Sequence, residues 1–106
     1  MKTQASGVTA PQGFEAAGIH CGIKKPGILD LALVVSTVTG PIAGVFTKNR
    51  VVAAPVILDR RHLRQRRGRA IIVNSGNANA CTGAKGLQAA VAMATAVGKG
   101  LAIPVN

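Results

Sequence analysis

The chain has 106 residues, of which 48% are hydrophobic, and a formal net charge of +10 from 13 Lys and Arg against three acids. This length fits one small domain or part of one, and the apolar fraction excludes a disordered chain. No apolar run reaches the about 20 residues that a membrane helix needs, and residues 1–13 lack the apolar stretch of a signal peptide. We therefore expect a cytoplasmic protein without a membrane span.

The basic charge is concentrated in one segment, because six of the seven arginines lie between Arg60 and Arg69. Such a run is typical of a solvated loop and helix end. A basic balance of this size also suggests nucleic acid or another acidic partner. The segment has no interleaved aromatic residue that would stack on bases, so nucleic-acid binding is the less favoured interpretation.

The two cysteines, Cys21 and Cys81, stand in unrelated contexts without zinc-ligand spacing. This predicts free thiols in a reducing compartment and no metal site. Cys81 beside Thr82 allows a nucleophile, but a small buried residue in a tight loop is the favoured interpretation.

In chain order, residues 1–13 are predicted as an irregular arm and Phe14–Ile23 as a first strand. The nearly continuous apolar run Leu29–Val38 predicts a strand covered on both faces. After a break at Thr39-Gly40-Pro41, Ile42–Thr47 reads as the returning strand of a β-hairpin over residues 29–47.

The second half of the chain predicts a helical turn at Asp59–Leu63, a short buried strand at Arg69–Asn74 and a helix at Ala84–Leu101. One helix face carries Leu87, Val91, Ala94, Val97 and Leu101. The helical glycines Gly86, Gly98 and Gly100 are tolerated if the helix packs closely on a sheet. The strand and helix order predicts an α/β fold. Because a βα pattern would continue past Asn106 into another strand, we expect an incomplete domain.

The loop Asn74–Gly83 joins the last strand to this helix and contains small and amide residues. Free backbone N–H groups at a helix N-terminus favour negative charge. The hydroxyl of Thr82 and the N–H of Gly83 would together form an oxyanion site for acyl transfer. The residues alone favour a simpler role, in which the Thr82 oxygen caps the helix by accepting from the Lys85 N–H. The loop matches neither a Walker phosphate loop nor a dinucleotide fingerprint.

Few residues of the chain could act as a general acid or base. Glu15 and Asp30 are expected at turns or on the surface, and His20 and His62 have no evident partners. A nucleophile and its base are therefore expected outside this chain.

The segment Asn74–Gly83 (NSGNANACTG) resembles a signature of the bifunctional ornithine acetyltransferase / glutamate N-acetyltransferase family of arginine biosynthesis. Further segments match that family in order and spacing, namely Val8–Phe14, Gly22–Lys25, Asp30–Leu33, Gly44–Thr47 with Asn49-Arg50, and Ala53–Val56. Together they extend over nearly the whole chain.

The resemblance implies a layered sheet-and-helix α/β fold, of which residues 1–106 are an N-terminal, incomplete portion of the α chain. It implies a precursor that cleaves itself before a threonine, which then carries the acetyl group from N-acetylornithine to glutamate by a ping-pong route. Some family members also use acetyl-CoA, and no other cofactor is expected. The oxyanion pair of the family falls on Thr82 and Gly83, so the resemblance favours that role over the helix cap.

The self-cleavage motif, its nucleophilic threonine and the substrate-binding lysine before it do not occur in residues 1–106. The expected partners are the remainder of the α chain and the β chain, in a heterotetramer when complete. The isolated chain is expected to be inactive. A small basic binding module for nucleic acid and a fragment without function are the remaining alternatives.

Overall fold

The computed structural model describes residues 7–105, which divide into two compact units. One unit contains residues 7–40 and 69–77 and is built on a sheet. The other contains residues 41–68 and 78–105 and is built on helices. The chain is therefore a mixture of strands and helices, as predicted.

The sheet has three strands in the spatial order β1-β2-β3, with β1 at Phe14–Ile19, β2 at Leu31–Pro41 and β3 at Arg67–Asn74. Strands β1 and β2 are antiparallel, with Phe14 opposite Ser36 and Ile19 opposite Leu31.

The first strand is shorter than predicted and ends at Ile19 rather than Ile23. The backbone N–H groups of Cys21, Ile23 and Lys24 donate to the side chain of Asp30, so they are not available to a strand ladder. The segment after β1 is therefore a loop organised around a carboxylate.

The helical unit contains helix α1 (Ala54–His62), a 3₁₀ turn (Leu63–Gln65) and helix α2 (Gly83–Leu101). Its buried core consists of Ala54, Leu58 and Ala90. The partly buried Leu87 and Ala94 pack against this core. Helix α1 starts earlier than the predicted helical turn because Pro55 occupies the first helical turn, where its missing N–H has no cost. The prediction for α2 is confirmed, although Val91 of its predicted apolar face is exposed.

The predicted hairpin over residues 29–47 is wrong, because the antiparallel partner of β2 is β1 and Ile42–Thr47 forms no strand. Pro41 has no N–H with which to extend a ladder. The Ile42 N–H donates to the Arg66 carbonyl at 3.1 Å, and a Cβ at Gly44 would lie 3.0 Å from the Leu63 side chain. The segment is thus held against the 3₁₀ turn of its own unit.

The predictions that β2 is covered on both faces and that β3 is buried are also wrong for this chain. The apolar side chains of both strands are half-buried or exposed. Val38 is 67% exposed and Ile71 is 53% exposed. The apolar pattern of these strands therefore does not correspond to burial within residues 7–105.

Helix α2 contains four glycines, and two of them, Gly86 and Gly98, permit close approaches by residues of the loop before the helix and of the segment after it. A Cβ at Gly98 would lie 2.0 Å from Val105 Cγ2. The chain turns back there through Ala102, whose φ is +53°, and the Ile103 N–H donates to the Gly98 carbonyl at 2.9 Å. This pattern is a Schellman-type helix end.

Within residues 7–105, neither helix combines the length and the apolar character required to cross a bilayer.

Candidate oxyanion site

The candidate site lies in the helical unit, where α2 begins. Thr82 occupies the N-cap position, and Gly83 is the first helical residue with a φ of +63°. This left-handed conformation favours glycine. A Cβ at Gly83 would meet no atom within 4 Å, so the space beside this residue is open. The N–H groups of the first helical turn have no intrahelical acceptor, which leaves donors at this end.

The hydroxyl of Thr82 does not make the helix-capping bond that the residues alone favoured. Instead, Thr82 Oγ1 donates to Asn79 Oδ1. The other end of that carboxamide, Asn79 Nδ2, donates to the Gly86 carbonyl at 2.7 Å. Because the Gly86 carbonyl can only accept, the nitrogen of Asn79 must face it and the oxygen must face Thr82. The direction of the Thr82 proton follows from this chain of bonds.

Gly86 makes room for these side chains in the first turn of α2. It is buried, and a Cβ there would lie 1.7 Å from Thr82 Oγ1 and 2.3 Å from Asn79 Oδ1. The backbone carbonyl of Asn79 also accepts from the Ala54 N–H at 3.0 Å, which joins the loop to the start of α1. The loop is therefore ordered by contacts on two sides.

Cys81 precedes the pair in a left-handed conformation with a φ of +55°. Its place in a tight loop agrees with the prediction, but its predicted burial is wrong, because the residue is exposed. Both Cys81 and Cys21 are free thiols, as predicted.

Chemically, the start of α2 offers the hydroxyl of Thr82 next to the N–H of Gly83, with the positive end of the helix dipole behind them. Such a set of donors stabilises an anion or an oxygen on which negative charge develops. The structure therefore brings both predicted site residues to one exposed helix end.

The sheet unit contains a carboxylate cluster that sequence reasoning missed. Asp30 was expected at a turn or on the surface, yet it is 2% exposed. Its carboxylate accepts from the N–H groups of Lys24 at 2.8 Å, Cys21 at 2.6 Å and Ile23 at 2.8 Å. These bonds, chiefly those from Lys24 and Cys21, hold the pKa of Asp30 well below its usual range. A hydrogen bond to the same carboxylate raises the pKa of the Cys21 thiol.

His20 and Ser75 belong to the same cluster. His20 was expected to lack a partner, but its Nδ1 lies 2.8 Å from the Ile28 carbonyl and 3.3 Å from Asp30 Oδ2. The backbone N–H of Ser75, directly after β3, donates to the Asp30 carbonyl at 2.9 Å. Asp30 therefore fastens the loop before β2 to the end of β3, which is a structural role. Its position between Leu29 and Leu31 was the available signal for burial.

Two members of the arginine cluster bind backbone within their own units. Arg60 donates to the Thr47 carbonyl, and its guanidinium lies 5.5 Å from the centroid of the Phe46 ring. Arg69 Nε donates to the Ser36 carbonyl at 3.0 Å. These contacts favour the interpretation of the cluster as part of the fold over a surface for nucleic acid.

The sequence model of the ArgJ family matches residues 15–106. The chain belongs to the ArgJ family. The resemblance drawn from the sequence motifs is thereby confirmed.

Relatives of similar sequence carry the name arginine biosynthesis bifunctional protein ArgJ. The protein from Mycobacterium leprae (strain TN) is 54% identical over 101 residues, which are 92% of this chain and 24% of the relative. The protein from Caldanaerobacter subterraneus subsp. tengcongensis is 49% identical over 96 residues, with coverages of 91% and 24%. The chain thus spans about a quarter of the length of these curated relatives.

Two solved structures share the fold. Ornithine acetyltransferase from Mycobacterium tuberculosis, complexed with ornithine, matches with a TM-score of 0.87 and 52% identity, over 91% of this chain and 50% of that chain. ArgJ from Bacillus halodurans matches with a TM-score of 0.88 and 40% identity, over 93% and 52%. The predicted α/β fold of the ornithine acetyltransferase type is confirmed.

Proposed function

We propose that this chain supplies the oxyanion-stabilising segment of a cytoplasmic acetyltransferase that moves an acetyl group from N-acetylornithine to glutamate in arginine biosynthesis. The observation that carries the proposal is the pair of adjacent donors, Thr82 hydroxyl and Gly83 N–H, at an exposed helix N-terminus in a chain of the ArgJ family. The relatives named for arginine biosynthesis and the neighbour crystallised with ornithine support the substrate class.

In this mechanism a nucleophile attacks the acetyl carbonyl, and the electron pair of the C=O bond moves to its oxygen. The Thr82 hydroxyl and the Gly83 N–H donate to that oxyanion while the helix dipole adds positive potential. The oxyanion then collapses, the bond between the acetyl carbon and the ornithine nitrogen breaks, and the nitrogen leaves as an amine with the proton that the nucleophile gave up. The second half-reaction repeats these steps with the amine of glutamate as the attacking group, so N-acetylornithine suffices as donor and acetyl-CoA is not required.

We assign the nucleophilic threonine, its self-cleavage motif and the remaining substrate contacts to polypeptide beyond residues 1–106, in the remainder of the α chain and in the β chain of a heterotetramer. The share of the relatives that this chain spans supports this assignment. So does its uncovered apolar surface, since Val45 is 99% exposed and strand residues such as Ile71 are open. Burying such side chains against a partner is favourable by about 25 cal/mol for each Å².

A fusion tests the proposal. This chain replaces the matching segment of the Mycobacterium tuberculosis relative, to which it is 54% identical. Ornithine release from N-acetylornithine and glutamate is then measured. We expect an active fusion, and Thr82→Ala lowers kcat by about 10²–10³ through loss of one oxyanion donor. The isolated chain releases no ornithine.

The matched control is Thr95→Ala, because the exposed Thr95 hydroxyl donates only to the Val91 carbonyl within α2 at 2.8 Å. This variant retains the activity of the fusion. An unchanged kcat in the Thr82→Ala fusion contradicts the proposed role of the hydroxyl.

A further inference from the structure

We propose that Asn79 is a positioning residue for acyl transfer, which holds the Thr82 oxygen at the place from which its hydroxyl can donate to the oxyanion. The inference rests on the proposed function of Thr82. It arises from the chain of hydrogen bonds from Thr82 Oγ1 to Asn79 Oδ1 and from Asn79 Nδ2 to the Gly86 carbonyl.

The position of the Thr82 oxygen depends on its hydrogen bond to Asn79. Thr82 is exposed, so solvent alone would leave its side chain free among staggered rotamers. The bond to Asn79 selects one of them. Asn79 itself makes three hydrogen bonds. Its side-chain oxygen accepts from Thr82, its side-chain nitrogen donates to the Gly86 carbonyl, and its backbone carbonyl accepts from the Ala54 N–H. The oxygen of Thr82 is therefore placed by a rigid neighbour rather than by its own chain.

The Thr82 hydroxyl has two competing acceptors, the Asn79 oxygen and the oxygen of the substrate. The Asn79 oxygen is a neutral amide acceptor, comparable with the carbonyl of a bound acetyl group. An oxyanion is a stronger acceptor, because hydrogen bonds to charged oxygens are about twice as strong. The Thr82 hydroxyl therefore donates to the Asn79 oxygen in the ground state, and its hydrogen turns to the substrate oxygen as charge develops there. Only an interaction that strengthens in this way accelerates the reaction.

The test is a double-mutant cycle in the active fusion. In the presence of Thr82, Asn79→Ala lowers kcat by about tenfold to a hundredfold through misplacement of the hydroxyl. The KM stays nearly unchanged, because the lost interaction belongs to the transition state. In the Thr82→Ala background, Asn79→Ala has no further effect on kcat, since no hydroxyl remains to be placed.

The matched control is Asn77→Ala, which removes an exposed amide from the same loop. It leaves kcat unchanged. Equal losses from Asn79→Ala in both backgrounds overturn the inference, because they indicate a purely structural residue. If Asn79→Ala leaves kcat unchanged while Thr82→Ala lowers it, the inference is wrong and the proposed function stands. An unimpaired Thr82→Ala fusion overturns both.

A second measurement needs no substitution. Three-bond NMR couplings of Thr82 in the unmodified chain report its χ1 distribution. We expect one dominant rotamer, in contrast to an exposed threonine without a partner. Couplings averaged over several rotamers overturn the inference.

Discussion

Replacement of Gly86 by alanine separates helix propensity from packing, because the two effects have opposite signs at this position. Alanine in a helix interior is favoured over glycine by about 1 kcal/mol. However, the new Cβ would lie 1.7 Å from Thr82 Oγ1 and 2.5 Å from Thr82 Cβ. Rotation about χ1 moves the oxygen of Thr82 but not its Cβ, so the backbone at the start of α2 must shift.

Overpacking of this kind costs about 1–3 kcal/mol. We expect the upper end of that range, because one of the clashing atoms is attached directly to the backbone. After subtraction of the propensity gain, Gly86→Ala lowers the free energy of unfolding by about 2 kcal/mol. For a chain of this size the midpoint of thermal unfolding falls by about 10 °C.

The assay is urea and thermal unfolding of the chain in dilute solution, followed by helical circular dichroism. Gly100→Ala is the matched control, since it lies in the same helix and a Cβ there would meet no atom within 4 Å. This control gains up to about 1 kcal/mol, less near the helix end. If Gly86→Ala also raises the stability, the close packing of Gly86 against Thr82 and Asn79 is refuted.

Two further predictions concern the sheet unit and the exposed surface. The lowered pKa of Asp30 means that its carboxylate stabilises the fold above its unfolded pKa, and that this stability is lost as the pH falls below about 4. Asp30→Asn places an amide N–H against backbone donors, so it lowers the free energy of unfolding at pH 7 and flattens the dependence of that free energy on acid pH. The exposed Asp59→Asn leaves the free energy of unfolding at pH 7 nearly unchanged. Equal acid dependence in the Asp30→Asn variant and the unmodified chain would contradict this role of Asp30. We expect the isolated chain to self-associate in size-exclusion chromatography through its exposed apolar side chains. The substitution Ile71→Lys on β3 reduces this association. A chain that elutes as a monomer at all concentrations contradicts the role of these side chains as an interface.

The sequence alone determined the features that depend on neighbouring residues. The recurrence of apolar residues every three or four positions located α2, and the apolar run before Asn74 located β3. The order of short motifs identified the family, and the resemblance to that family, rather than the loop residues alone, predicts the oxyanion pair at Thr82 and Gly83. These signals are local, because helix periodicity and turn chemistry are written within a few consecutive residues.

Only the tertiary structure decided which distant residues meet. It paired β2 with β1 rather than with Ile42–Thr47, because a pattern of apolar residues predicts a strand but not its partner. It buried Asp30 among backbone donors from a loop six to nine residues earlier in the chain. It also joined Asn79 to Thr82 and Gly86, a contact that depends on where the loop crosses the first turn of α2. Such contacts are set by the geometry of packing, which no single segment of the sequence contains.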